Sequence, residues 1–275
     1  MGKFQSVALA ALRRFPWRFR KHVEVRGAIL SAAWSARMVR RVLSAPIDLV
    51  TIAFANTALL RHQHRLLSTY VARPFVWIVA DNSPTRESAS AVRSLCEELG
   101  AVYWPIPHNP YTAISPSHSH GFALNLSWRC VLRRRRSTVI GFLDHDIFPI
   151  EAFDPRAVLA NQPVWGRLQR RGDHWYIWPG LFLARTDYAR ARGLDFLPGF
   201  GVDTGGRNEV LVLRDLDPES LVLPMTIREQ VRGDGTVNES DYIERIGGWA
   251  HTINGSNWFK VPSKDAAIEA LLSKY

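Results

Sequence analysis

The chain has 275 residues, 47% of them hydrophobic, and a formal net charge of +10. This length suits one large domain, alone or with an appendage. Two cysteines, Cys96 and Cys130, exclude a disulfide framework and a cysteine-based zinc site, and they fit a reducing compartment. No apolar stretch is long enough to cross a bilayer, and arginines interrupt every apolar block near the start. We therefore expect a cytoplasmic protein.

Residues 1–45 are a basic segment that precedes the predicted domain. They carry ten Lys or Arg residues and one Glu, so +9 of the net charge lies here. Trp34, Met38 and Leu43 recur near helical spacing, which predicts amphipathic helices, the second from about Val23 to Leu43. Basic faces with apolar residues opposite are typical of helices that lie on an anionic membrane, here the inner face. Packing on the domain or on a partner is the alternative. Residues 46–275 offer no basic groove, so nucleic-acid binding is not expected.

From Pro46 onward, strands and helices alternate. The predicted elements are strand Ile47–Ala55, helix Thr57–Val71, strand Phe75–Ala80, a helix capped by Ser83 and ending at Gly100, strand Ala101–Ile106, a helix from about Ser119 to Arg135, and strands Thr138–Leu143, Val164–Gln169 and Trp175–Ala184. This order predicts an α/β fold with a mostly parallel, Rossmann-like sheet flanked by helices.

Two aspartates follow the buried strand Thr138–Leu143. Asp144 and Asp146 stand two residues apart at its carboxyl end, the edge where open α/β sheets bind ligands. Paired carboxylates suit a hard divalent cation, Mg²⁺ or Mn²⁺, with positions left for a diphosphate. His145, between them, is expected to point the opposite way and not to be a ligand.

Four segments carry a resemblance to a known family. In chain order they are Ile47–Ala53, Val79–Ser83, Gly121–Asn125 and Phe142–Asp146, the last holding an Asp-x-Asp motif. Residues 47–150 resemble the nucleotide-binding half of a GT-A glycosyltransferase, closest to the inverting family 2. The resemblance implies a nucleotide-diphosphate sugar donor, a divalent metal, a donor half at 46–150, and an acceptor half at 151–275 of the same domain.

The resemblance also implies roles for individual residues. The expected donor contacts are Phe54, Ala55 and Asn56 for the base, Asp81 and Asn82 for the nucleoside, Gly121 and Asn125 beside the ribose and diphosphate, and Asp144 near the sugar. Asp144 and Asp146 are the expected metal ligands, Asp146 the firmer of the two. The alternatives are that Asp81 and Asn82 only shape a turn, and that Gly121 only allows close packing.

The second half supplies the remaining candidates. An inverting transferase needs a carboxylate to take the acceptor's proton, and Asp203 in a glycine-rich loop is the candidate base. Asp173, Glu239 and Asp241 compete with it, and a tight turn is the alternative. His251 is a candidate third metal ligand or a structural histidine. Other possible donor contacts are Trp178, Pro179 and Gly180, together with Asn254, Ser256 and Trp258.

Three other functions compete with this resemblance. A nucleotidyltransferase usually has a glycine-rich, basic loop after its first strand, where this chain has Phe54-Ala55-Asn56-Thr57. A haloacid-dehalogenase-type phosphatase carries its aspartate pair after the first strand, whereas three strands precede Asp144. A catalytically inactive GT-A-like protein docked at a membrane or partner stays open. The acceptor is expected to be a glycan, a lipid-linked molecule or a small molecule.

Overall fold

The computed structural model describes residues 17–42, 45–112, 114–230, 242–252, 268–269 and 271–275. The helices are α1 (Trp17–Arg41), α2 (Thr57–Tyr70), α3 (Arg86–Leu99), α4 (Pro116–Leu126), α5 (Pro155–Val158) and α6 (Thr186–Arg192). The strands are β1 (Ile47–Ala53), β2 (Phe75–Asp81), β3 (Val102–Pro105), β4 (Val139–Asp144), β5 (Ile147–Pro149), β6 (Val164–Arg171), β7 (His174–Arg185), β8 (Thr226–Gln230), β9 (Tyr242–Ile246) and β10 (Trp249–His251). None of the described helices combines the length and apolar character needed to cross a membrane.

A six-stranded sheet in the order β3-β2-β1-β4-β7-β6 forms the centre of the described structure. Strands β1 to β4 are parallel, and β7 is antiparallel to both β4 and β6. The predicted α/β fold with a mostly parallel sheet is confirmed. In register, Ala53 pairs with Asp81 and Ile52 with Asp144, so the carboxyl ends of β1, β2 and β4 meet at one edge.

Both faces of this sheet are covered, which explains why its central strands are largely apolar. Leu49, Val79 and Leu143 pack on one side with helices α2 and α3. Val50 and Phe142 pack on the other with α1 and α4. Successive residues of a strand point to opposite faces, so a strand buried on both faces has no polar alternation.

A second, antiparallel sheet in the order β5-β10-β9-β8 completes the candidate site. Strand β5 begins directly after Asp146, and Ile147 pairs with His251 on β10. The N–H of Thr252 donates to the carbonyl oxygen of Asp146 over 3.0 Å. The second sheet therefore brings His251, far away in sequence, beside the Asp-x-Asp turn.

Helix α1 packs on the sheet through small residues. Its buried side chains are Ala28, Ala32, Ala36 and Val39. The large side chains of Leu30, Trp34 and Met38 are exposed, on the same side as exposed arginines. The expectation that apolar residues lie opposite a basic face is therefore wrong, because the opposite side packs against the body and the largest apolar side chains share the exposed side with arginines.

Two predicted helix boundaries are also wrong. Helix α3 begins at Arg86, where Thr85 and Ser88 form a capping box, and not after Ser83. The Ser83 hydroxyl instead accepts the backbone N–H of Ala55 over 3.0 Å. Helix α4 begins at Pro116 behind the capping residue Ser115. Its α-helical part ends at Leu126 and continues as a π turn and a 3-10 turn to Arg134.

Candidate functional site

A buried glutamine on α2 holds the backbone of the Asp-x-Asp turn by hydrogen bonds. The Gln63 amide donates to the carbonyl oxygens of Asp144 and Ile147, both over 2.8 Å. Asp144 lies partly open, whereas Asp146 is buried. His145 turns back toward β1, with its Nδ1 3.2 Å from the carbonyl oxygen of Ile52. The two carboxylates thus face the sheet edge, and the histidine between them points away from it, as expected.

His251 lies between two acidic side chains. Its Nε2 is 3.7 Å from Oδ1 of Asp146, and its Nδ1 is 3.0 Å from Oε2 of Glu244. The Trp178 ring covers it, with ring centroids 4.6 Å apart. Burial acts to lower the pKa of His251, but the carboxylates of Asp146 and Glu244 outweigh burial and raise it to about 9.

Glu244 holds the other end of this network and was not anticipated from the sequence. It is buried, and Oε1 accepts from Arg167 over 2.7 Å and from Arg228 over 3.1 Å. Burial would raise the pKa of Glu244, but the hydrogen bond from His251 and the Arg167 charge lower it to about 2. The sequence did contain a signal for this contact. Gly247-Gly248 is typical of a two-residue hairpin loop, and a hairpin with this loop places Glu244 opposite His251.

His120 near the start of α4 lies among acidic side chains as well. Its Nε2 is 3.0 Å from Oδ1 of Asp144. Burial acts to lower the pKa of His120, but the nearby carboxylates raise it. In order of influence, these carboxylates are Asp144, Asp203 and Asp146. His120 is therefore close enough to three predicted site carboxylates for their charges to raise its pKa.

Asp203 is an exposed residue in a turn that is otherwise mostly buried and is attached to helix α4. Its Oδ1 accepts the backbone N–H of Thr204 over 2.7 Å. The Thr204 hydroxyl donates to the carbonyl oxygen of Ser117 over 3.1 Å, and Gly205 N–H donates to Phe196 over 2.8 Å. Asp203 therefore shapes its own turn, as the alternative reading expected, and that turn also places it near His120.

Asp81, at the end of β2, is buried and already makes hydrogen bonds within the protein. Its Oδ1 accepts the N–H of Ser83 and its Oδ2 accepts the Tyr103 hydroxyl, both over 2.9 Å. Burial raises the pKa of Asp81. The Asn82 amide joins a buried network with Asn109 and the Ser119 hydroxyl. Both residues shape this corner, and their contact with a nucleoside stays a prediction.

The segment after β1 forms the neighbouring rim. Phe54 is half-buried, and Ala55 is exposed with a backbone φ of 60°. Asn56 caps helix α2, its side chain accepting the N–H of Leu59 over 3.1 Å. These three residues lie at the carboxyl end of β1, beside Asp81, and their contact with a base stays a prediction.

Gly121 and Asn125 fix helix α4 to the segment that leads into the Asp203 turn. A Cβ atom at Gly121 would lie 2.4 Å from the carbonyl oxygen of Phe196. The Asn125 amide donates to Asp195 over 2.7 Å and accepts the N–H of Phe196 over 2.9 Å. For Gly121 these contacts match the close-packing alternative; a direct ligand contact of either residue stays a prediction.

The remaining candidates divide into two groups. Asp173 is exposed in the turn between β6 and β7. The other candidates, which lie outside the described residues, are Glu239, Asp241, Asn254, Ser256 and Trp258. Within the described ranges, no three His, Cys, Asp or Glu side chains are grouped so that they could together hold a metal ion.

No family model matches the chain, and no curated protein matches it. The structure is similar to the mannosyltransferase PcManGT from Pyrobaculum calidifontis in complex with GDP-Man and Mn²⁺, at 14% identity and a TM-score of 0.43, over 79% of this chain and 68% of that one. It is also similar to an active-site mutant of LgtC (15% identity, TM-score 0.38, 52% of this chain and 59% of that one). A third similarity is to TarS from S. aureus (14% identity, TM-score 0.37, 55% of this chain). The chain spans only 30% of the length of TarS. All three TM-scores lie below 0.5, so we infer function from this chain's own side chains.

Proposed function

We propose that the chain is a glycosyltransferase that moves a sugar from a nucleotide-diphosphate sugar to an acceptor hydroxyl, with metal dependence and inversion at the anomeric carbon. The observation that carries this proposal is the pair of acidic residues at the carboxyl end of β4, where His120 lies 3.0 Å from Asp144 and His251 lies 3.7 Å from Asp146. Carboxylates repel one another, so a cluster of this kind favours a bound cation.

The donor atoms at this edge are of the kinds that a divalent cation binds. Asp146 and Asp144 offer carboxylate oxygens, and His251 offers an imidazole nitrogen 3.7 Å from Asp146. Oxygen ligands suit Mg²⁺ and Mn²⁺, and an imidazole ligand favours Mn²⁺ of the two. So few protein ligands leave coordination positions for substrate phosphates. Bound there, the metal would stabilise the negative charge that grows on a leaving diphosphate.

Asp203 is proposed as the general base. It is exposed, so an acceptor can reach it, and its turn is held to helix α4 beside the acidic cluster. A carboxylate in this position takes the proton of the acceptor hydroxyl as that oxygen attacks the anomeric carbon. Attack from the face opposite the leaving diphosphate inverts the configuration. A glycan, a lipid-linked molecule and a small molecule all remain acceptor candidates.

Nucleotide binding tests the donor half of the proposal. Thermal unfolding is measured with UDP, GDP, CDP and dTDP, each with Mn²⁺ and with EDTA. A ligand at about 100 times its dissociation constant adds about 2.7 kcal/mol of stability. This corresponds to a shift of several degrees, at about 2–4 °C per kcal/mol. We expect one nucleotide to raise the melting temperature only with metal, and Asp146→Asn to remove this shift.

The matched control is Asp187→Asn. Asp187 is an exposed aspartate that pairs with Arg185, at the opposite end of β4 from the candidate site. This variant should keep the full shift. GDP-Man, which is bound in the PcManGT complex, is the first nucleotide sugar to test for hydrolysis and transfer. If no nucleotide binds, the transferase proposal fails. Binding without turnover of any nucleotide sugar would favour the catalytically inactive binding protein.

A further inference from the structure

Helix α1 exposes its largest apolar side chains. Leu30, Trp34 and Met38 are 73%, 71% and 70% exposed, and they follow one another at four-residue intervals. Such intervals place side chains one above the other on the same helix face. The side of the helix that contacts the body instead carries alanines together with Val25, Ile29 and Val39. The exposed stripe is therefore not explained by packing within the described structure.

Basic side chains lie on the same face. Arg26 precedes Leu30 by one helical turn, and Arg37 and Arg41 follow Trp34 by three and seven residues. All three arginines are exposed. The one acidic residue in positions 1–45, Glu24, lies 3.9 Å from the Lys21 ammonium. The docking face, defined as Arg26, Leu30, Trp34, Arg37, Met38 and Arg41, is thus apolar and positively charged.

We propose that this docking face binds the surface of a membrane that contains anionic lipid. Apolar side chains enter the boundary between headgroups and acyl chains, and arginines beside them meet lipid phosphates. A second copy of the chain fits less well, because pairing two docking faces would bring six arginines together. The proposal does not depend on the proposed sugar transfer.

The helix is attached firmly enough to orient the whole body. The Trp104 indole donates to the Ser35 hydroxyl over 3.0 Å, and Arg135 donates to the carbonyl oxygens of Val39 and Val42. The Lys21 ammonium donates to Pro110, in the loop that leads into helix α4 and His120. Docking through α1 would therefore hold the candidate site in a fixed orientation to the membrane.

Vesicle co-sedimentation of the full chain tests the proposal. We expect binding to phosphatidylcholine vesicles that contain phosphatidylglycerol, and little binding to pure phosphatidylcholine. The variant Leu30→Gln/Trp34→Gln/Met38→Gln should weaken binding at least about tenfold, because membrane affinity scales with the apolar area inserted. The variant Arg26→Gln/Arg37→Gln/Arg41→Gln should also bind at least about tenfold more weakly, since each arginine contributes to attraction by anionic lipid. High salt should also weaken vesicle binding, because it screens the attraction between arginines and anionic lipid.

The matched control is Val222→Gln/Met225→Gln, which removes two apolar side chains that are 81% and 74% exposed elsewhere on the surface. This variant should bind vesicles like the unaltered chain. Unchanged binding by both docking-face variants would overturn the proposal and assign binding to residues before Trp17. Equal binding to neutral and anionic vesicles would overturn it too. Self-association that the apolar variant abolishes, without vesicle binding, would show that a second copy covers the face.

Discussion

His251 and Asp146 face each other at the meeting point of the two sheets, with Nε2 of the imidazole 3.7 Å from Oδ1 of the carboxylate. The gap exceeds a hydrogen bond, yet both side chains are buried. Glu244 holds the imidazole from its other nitrogen over 3.0 Å. A protonated His251 compensates the acidic cluster, and a metal held by the same side chains would replace that proton's charge.

In the absence of metal, the raised pKa of His251 should make the folded protein less stable as pH rises. Because its pKa is raised from 6.5 to about 9, the folded state holds this proton more tightly than the unfolded state. The proton on His251 adds at most about 3 kcal/mol to the free energy of unfolding. This contribution is fully present below about pH 6.5 and is lost as pH rises through about 9. Urea unfolding in EDTA at pH 7, 8 and 9 should show this decline.

Two variants make this measurement specific. His251→Gln should flatten the decline between pH 7 and 9, whereas His22→Gln, at an exposed position of α1, should keep it. A metal must displace the same proton, so Mn²⁺ should bind more tightly as pH rises over this interval. An unchanged pH slope in His251→Gln would show that another group causes the decline.

Glu244 is expected to act as a positioning residue for His251. The variant Glu244→Gln keeps the shape of the side chain but removes the charge that orients the imidazole and favours its protonation. Groups that orient metal ligands in this way typically change metal affinity by about 10–100-fold. Titration of Mn²⁺ should show a loss in this range. Glu229→Gln, which removes an exposed partner of Arg245, should not change the affinity. Equal affinities in both variants would remove Glu244 from the site.

Local sequence patterns predicted the parts of this site that depend on a single strand. The apolar run before Asp144 predicts a buried strand. The parallel order of β1 to β4 then predicts that the carboxyl end of this strand lies at the same edge of the sheet as those of its neighbours. The opposed orientation of His145 follows from the alternation of neighbouring side chains. The predicted Ser83 cap was wrong, because a capping box formed by Thr85 and Ser88 satisfies the helix start two residues later.

Long-range contacts could not be predicted in the same way. The amide of Asn125 is occupied by Asp195 and Phe196, some 70 residues away along the chain. The buried position of Glu244 depends on β9 pairing with β10 and on Arg167 from the central sheet. The direction in which α1 faces depends on which of its sides the body can accommodate. Periodicity alone cannot distinguish a buried alanine side from an exposed leucine side.

Asp203→Asn should separate chemistry from donor binding. An amide cannot take the acceptor's proton, so turnover should fall about 10²–10⁴-fold, the range typical of a lost general base. The metal-dependent thermal shift should stay close to that of the unaltered chain, because Asp203 is not a proposed metal ligand. The competing aspartate provides the control: Asp173→Asn should keep its activity. Full activity in Asp203→Asn, or inactivity in Asp173→Asn, would reassign the base.

Gly121 is expected to tolerate no side chain. The Cβ of alanine would lie 2.4 Å from the carbonyl oxygen of Phe196, so α4 must move away from the segment that carries Asp203. Overpacking of this kind costs about 1–3 kcal/mol, or several degrees in melting temperature. Gly27→Ala is the control, because nothing lies within 4 Å of its Cβ in helix α1. It should raise stability by about 0.4–1 kcal/mol. A similar effect of both substitutions would contradict the close contact at Gly121.

Arg135 is expected to be the strongest single link between helix α1 and the sheet. Its guanidinium is buried, donates to Asp48 over 2.7 Å, and satisfies the carbonyl oxygens of Val39 and Val42 at the end of the helix. Arg135→Met leaves the Asp48 carboxylate buried without its cation, a change that typically costs about 3–5 kcal/mol. Arg136→Met, at an exposed neighbouring position, should stay within about 0.5 kcal/mol of the unaltered chain. Denaturant unfolding compares the two variants, and equal stability would mean that the contacts of Arg135 do not hold α1 to the sheet.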